Sequence, residues 1–250
     1  MNAPIRVEAL KLSRSPVGVI GTLALLLGTV ALLCGITVAL TNGQSDLVAK
    51  MGPAATRDWA GLLSAAAQIT SAGGLLGFGT VLAWMFGREF ADRTVSALFA
   101  LPVGRGRIAL AKIAVYLIWV VAVSLLLGLA LLVLGGAFGY GRPDAEVWAG
   151  LGRQWALGAL TGAIAMPVAW VVTLTRSLLA GVGAVIGVVV LTQVAVLAGA
   201  GGAMPPAAPA LWAMSRGTEV SVGQLAVALV CAAAFVALTW ASWARLQLNR

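Results

Sequence analysis

The 250-residue chain contains no histidine, and its two cysteines, Cys34 and Cys231, stand alone inside apolar runs. These shortages exclude a disulfide framework, cysteine–histidine zinc sites, histidine general bases and histidine-ligated haem. Charge is equally scarce: 10% of the residues are Asp, Glu, Lys or Arg, against about 25% in an ordinary soluble domain. So few charges cannot coat a globule, which excludes a soluble enzyme, and a 61% hydrophobic content excludes a disordered tail. The sequence also lacks a G-x-x-x-x-G-K-[ST] phosphate loop, a G-x-S-x-G nucleophile elbow and paired carboxylates at the ends of its apolar runs. No catalytic, cofactor-binding or metal-ligating residue is therefore expected of this chain, and if ATP drives it, another chain must bind the nucleotide.

What is present is lipid-compatible sequence, with a mean hydropathy of +1.01. A helix needs about 20 apolar residues to cross a bilayer, and six runs meet or approach this: 17–40, 62–86, 108–134, 155–175, 178–199 and 222–243. They lack period-two alternation, so helices are the way to satisfy their backbone in lipid. The expected fold is an all-α integral membrane protein, a single transmembrane domain over 1–250 with residues 1–16 as an interfacial segment. The first run is too long for a signal peptide and reads as an uncleaved span. Ser15-Pro16 reads as a cap followed by a first-turn proline. Pro167 alone lies inside a span and is expected to kink it. Trp59, Trp84, Trp148, Trp155, Trp212, Trp240 and Trp243 lie near span ends, as interfacial rings do, whereas Trp119 and Trp170 lie deeper and read as packing residues.

Orientation follows from the basic residues. The N-terminal segment, the second and fourth loops and the C-terminal tail hold eleven Lys and Arg, and the other three loops hold five. This asymmetry predicts both termini in the cytoplasm. The net charge of +8 thus reads as a topology signal, not as a nucleic-acid surface, because the basic residues sit beside spans and form no patch. Apart from Lys112 and Arg153, each near enough to an interface to snorkel, no Asp, Glu, Lys, Arg or His is expected within the hydrocarbon. Gln68, Thr70, Ser71 and Gln193 are candidate pathway-lining residues, with interhelical hydrogen bonding as their plainer role. The pairs Gly73/Gly77, Gly158/Gly162 and Gly183/Gly187 have the spacing that lets helices approach closely.

The most specific signal lies in the second cytoplasmic loop. At 100° per residue, Phe90, Thr94, Val95, Leu98 and Leu101 fall on one arc of a predicted helix over 88–101, and Arg88, Glu89, Asp92 and Arg93 fall on the other. Glu89 precedes Arg93 by four residues, the favourable order for an exposed ion pair. Pro102 ends the helix, and Arg105, Arg107 and Lys112 open the next span. Composition alone is compatible with a helix lying passively in the headgroup layer.

The run from Phe86 to Lys112 resembles the coupling-helix signature of type-2 ABC exporter permeases. Glu89, Thr94, Leu98, Leu101, Pro102, Arg105 and Lys112 match its order, and Asp92-Arg93-Thr94 with Ala100-Leu101-Pro102 resembles most the bacitracin-resistance and lantibiotic-immunity branch. Gly104 stands where Ser is usual, and Phe99 where an aliphatic residue is common. The resemblance implies a permease of the bacterial plasma membrane that exports a hydrophobic or amphiphilic substrate. A separate cytoplasmic ATPase would hold ATP and Mg and dock on Arg88, Glu89, Phe90, Asp92, Arg93, Thr94, Val95, Leu98, Phe99, Leu101, Pro102 and Arg105. A second permease copy, identical or related, would complete the pathway. Residues 4–15 would form an interfacial elbow helix. The rival classes are an energy-independent channel or facilitator and a membrane sensor or assembly subunit. Flux without ATP marks the first, and binding without flux the second.

Overall fold

The computed structural model describes residues 2–42, 56–95 and 102–247. Ten α-helices occupy the described residues: α1 (Asn2–Ser13), α2 (Pro16–Thr41), α3 (Trp59–Ile69), α4 (Leu75–Ala91), α5 (Arg105–Ala137), α6 (Ala145–Ile164), α7 (Met166–Thr175), α8 (Leu178–Leu197), α9 (Ala208–Met214) and α10 (Val222–Ala244). They make six rods long and apolar enough to cross a membrane: α2, α3–α4, α5, α6–α7, α8 and α10. The chain is a multi-pass membrane protein. Helix α1 lies outside the rods and packs on the start of α5.

The helix starts are written in short polar side chains. Ser15 accepts a bond from the Gly18 amide at 2.9 Å, with Pro16 in the first turn. Asp58, Asp144, Ser177 and Ser221 cap α3, α6, α8 and α10 in the same way. Such caps satisfy amides that a helix cannot pair internally and contribute about 1 kcal/mol each. Within the spans most hydroxyls turn back on their own helix: Thr22, Thr80, Ser124, Thr173 and Thr192 each donate to the carbonyl four residues earlier. The expected interhelical bonding is confined to fewer pairs, among them Trp119 Nε1 to Thr22 Oγ1 at 2.9 Å and Trp243 Nε1 to Thr173 Oγ1 at 3.0 Å.

The second rod extends from Trp59 to Ala91, beyond the predicted 62–86, and is interrupted by a π-helical turn, Thr70–Gly74. The fourth extends from Ala145 to Thr175 and breaks at Ala165. Pro167 sits in the first turn of α7, where its missing N–H leaves one bond of a continuous helix unmade. Both are largely buried and form the centre of the bundle, whereas the α2, α8 and α10 rods present mostly exposed surface.

Small residues set the central packing. A side chain added at Gly158 would strike Ser124, and one added at Gly162 would strike Val120, so α6 approaches α5 through these two positions. Gly77 approaches Leu25 in the same manner, but Gly183 and Gly187 on α8 face open space instead of a helix. Trp243 departs from the expected interfacial position: it is fully buried, with its ring edge-on to Phe86 at 5.8 Å between centroids. Helix α1 and the residues just after α10 both lie at one end of the bundle, where Glu8 reaches Lys112 and Arg105 donates to the Leu246 carbonyl. That end is called the terminal end below, and the opposite one the far end.

Candidate functional site

At the terminal end α4 closes at Ala91, and Asp92 caps it by donating its amide to Arg88 O at 2.7 Å. Arg93 then adopts a left-handed backbone, with φ of 55°. Arg88, Glu89 and Phe90 thus belong to the last turn of the second rod, and the chain turns at 92–94. This corrects the predicted single helix over 88–101 at its N-terminal part. The cause is that the apolar rod does not stop where charge begins, because Glu89 is neutralised inside the protein.

Glu89 is only 2% exposed, and Lys112 is fully buried. Glu89 Oε1 accepts from Lys112 Nζ at 3.0 Å and from Lys11 Nζ at 2.9 Å, while Oε2 accepts from Thr94 Oγ1 at 2.7 Å. Lys112 Nζ also donates to Glu8 Oε2 at 2.8 Å and to the Met85 carbonyl at 3.0 Å, which uses all three of its protons. Lys11 Nζ closes the circuit on Glu8 Oε1 at 2.8 Å. Two carboxylates and two ammonium groups therefore form a neutral cluster joining α1, the end of α4 and the third turn of α5. Burial pulls the Lys11 ammonium down, but its bonds to Glu8 and Glu89 prevail and raise its pKa above the usual lysine value. Such a cluster survives burial only when every charge is matched and hydrogen-bonded.

These contacts overturn two sequence expectations. Glu89 does not lie on an exposed face paired with Arg93, and Lys112 does not snorkel to the interface. A helical arc scores the spacing along one segment and is blind to a lysine 23 positions later that folds back onto it. Glu8 was missed altogether. Its signal was available, since it is the only acid in the basic N-terminal segment, three residues before Lys11, and Lys112 was a lone charge within an apolar run.

The remaining predicted docking residues divide by exposure. Arg88 lies over the Trp84 ring at 4.8 Å, and Phe90 is half-buried near Trp243, with ring centroids 6.3 Å apart. Val95 is buried, so neither Phe90 nor Val95 presents the free apolar surface expected of it. Asp92, Arg93, Thr94 and Pro102 are exposed, and Arg105 is held against Leu246. Leu98, Phe99 and Leu101 lie outside the described residues.

The candidate pathway residues are not brought together either. Thr70 is buried in the π-helical turn and accepts from Gln154 Nε2 at 2.7 Å. Ser71 donates to the Gln68 carbonyl at 2.7 Å, Gln68 lines a cleft at the far end, and Gln193 is exposed on α8.

Six apolar rods, a buried charge cluster at the terminal end and an exposed turn beside it describe a multi-pass helical membrane protein. A family model described as ABC-2 family transporter protein matches residues 4–193. The chain belongs to that family and is an ABC-2 type permease, a membrane component that is generally non-catalytic, and membership implies association with an ABC ATPase. No curated protein and no solved structure matches it.

Proposed function

We propose that this chain is the permease subunit of an ATP-driven exporter in the bacterial plasma membrane, of the bacitracin-resistance and lantibiotic-immunity branch. It moves a hydrophobic or amphiphilic substrate, such as an antimicrobial peptide, a drug or a lipid-like molecule. The terminal end faces the cytoplasm. A separate ATPase holding ATP and Mg docks on the segment from Asp92 to Arg105, and a second permease, identical or related, completes the translocation unit.

The observation that carries this reading is the Glu8–Lys11–Glu89–Lys112 cluster, joined through Thr94 to the turn at 92–94. A push on the turn at 92–94 reaches Glu89 through Thr94, whose hydroxyl and amide both bond to it. Glu89 hands the displacement to α1 and α5 together. Coupled motion of three elements requires a rigid joint, and a paired buried cluster is one. The apolar side chains Leu98 and Phe99 supply the ATPase contact, each able to bury about 1.5–3 kcal/mol of side-chain surface.

The test is reconstitution of the permease with its ATPase in liposomes. Leu98→Asp and Phe99→Asp are expected to abolish ATP-dependent transport and ATPase co-purification while membrane insertion is retained. Transport and co-purification at wild-type levels in both variants would overturn the docking assignment.

A further inference from the structure

At the terminal end a cleft of about 420 Å³ opens between α1, the last two turns of α4 and the starts of α2 and α8. Its charges do not balance. Lys11 is already answered by Glu8 and Glu89. Arg14 and Arg88 line the same cleft, and neither guanidinium makes an ion pair or hydrogen bond among the described residues. The Trp84 ring under Arg88 attracts the cation through its face but supplies no oxygen for its N–H groups. Asp92, exposed, is the one carboxylate on the walls. Two arginines against one aspartate leave a surplus of one positive charge beside an aromatic ring, a setting that suits a singly charged oxyanion.

The position of the cleft makes a lipid the source of that anion. Ser15 and Pro16 open α2, Leu178 opens α8 and α4 closes at Ala91, so the cleft lies at the level where three rods leave the hydrocarbon. An apolar furrow continues from it into the bilayer. On one side of α4 Gly77 meets Leu25 of α2, and on the other Gly79 meets Val185 of α8. Between these contacts Leu76, Thr80, Trp84 and Arg88, four residues apart on one face of α4, stay exposed or half-buried. The Thr80 hydroxyl is turned back onto the Leu76 carbonyl, so the strip below Arg88 offers no free polar group. A free phosphate would use only the head of this channel, whereas a phospholipid uses the head and the furrow together.

We propose that the cleft binds a phospholipid whose headgroup carries one phosphodiester charge and no cation, its phosphate on Arg14 and Arg88 and an acyl chain along the exposed strip of α4. One negative charge cancels the surplus, which a headgroup bearing its own ammonium leaves standing. The site does not depend on ATPase docking, so its failure would leave the transport reading intact.

The experiment is lipid retention by the full-length chain, delipidated in detergent and titrated with phosphatidylglycerol, phosphatidylcholine or soluble glycerophosphoglycerol, with bound lipid read by native mass spectrometry. The wild-type chain is expected to hold phosphatidylglycerol about fivefold more tightly than phosphatidylcholine, the worth of one basic side chain facing an anionic headgroup. Arg14→Gln and Arg88→Gln are each expected to abolish that preference, and Asp92→Asn to increase it. Arg107→Gln, at an exposed position of the same end outside the cleft, is expected to change nothing. Equal retention of the two lipids by the wild-type chain would overturn the proposal without recourse to any variant. A loss of preference in Arg107→Gln as large as in the other two arginine variants would replace the site by diffuse surface charge. Glycerophosphoglycerol binding as tightly as the intact lipid would overturn the membrane source.

Discussion

Lys112 carries the heaviest consequences of any single side chain, because all three of its protons are committed to acceptors that have little access to water. Replacing it by methionine keeps the volume and leaves two buried carboxylates facing one lysine. Removing one partner of a buried pair costs about 3–5 kcal/mol, so Lys112→Met is expected to lower the melting temperature in detergent sharply. Adding Glu89→Gln removes much of the uncompensated charge, so the double variant is expected to be more stable than the sum of the two single losses predicts. Additivity within about 0.5 kcal/mol would show that the two side chains are not coupled. Asp58 is a milder case at the other end of the bundle. Its carboxylate is held below the ordinary range by the Gly61 amide first, with further help from Thr56. A depressed folded-state pKa stabilises above the unfolded value of about 3.9 and is lost as pH falls through the folded value. Asp58→Ala is therefore expected to cost about 1 kcal/mol at neutral pH, measured by thermal unfolding, with the gap to the wild-type chain narrowing in acid. A constant gap down to pH 2 would remove the cap as its cause.

Among the elements, α6 packs closely on α5 through two glycines. Gly158 lies against Ser124 and Gly162 against Val120, whereas Gly183 and Gly187 on α8 meet nothing within 4 Å. The three glycine pairs look alike in sequence, and the structure predicts different responses. Gly162→Leu is expected to destabilise by overpacking, by about 1–3 kcal/mol or more, while Gly183→Leu leaves the melting temperature of the isolated chain unchanged. Equal effects at the two positions would contradict the packing. Element existence was legible from hydropathy because lipid leaves the backbone no alternative to helix. The first rod was legible almost to the residue, since Ser15-Pro16 opens it and no charge interrupts it. The second rod was underestimated because its last turn contains Arg88, which lies over Trp84 one turn earlier, and Glu89, whose charge is answered by two lysines far away in sequence. No window along one segment holds those two lysines. The broken fourth rod was legible through Pro167, whereas the π-helical turn at Thr70–Gly74 has no comparable mark in its composition.

At the scale of the whole molecule, the distribution of charge and the position of the cluster bear on one question, which end faces the cytoplasm. Among the described residues, ten of the fourteen basic residues lie at the terminal end or in the loops that join it. The far end offsets its own basic residues with acids, and there Arg216 is paired with Glu146. Translocation retains lysine and arginine on the cytoplasmic side while acids contribute little, so the terminal end is expected inside, where an ATPase can reach the turn at 92–94. Labelling tests this directly. Cys34 and Cys231 are first replaced by alanine, since both lie within rods. Arg93→Cys and Arg142→Cys are then introduced separately, at exposed positions on the terminal and far ends. In intact cells a membrane-impermeant maleimide is expected to label the chain carrying Arg142→Cys and spare the one carrying Arg93→Cys, which reacts only after permeabilisation. The reverse pattern would place the far-end cleft in the cytoplasm and leave no route for a cytosolic ATPase to the charge cluster. Labelling of both from outside would mean that the third rod does not cross, since it is the one rod between the two positions.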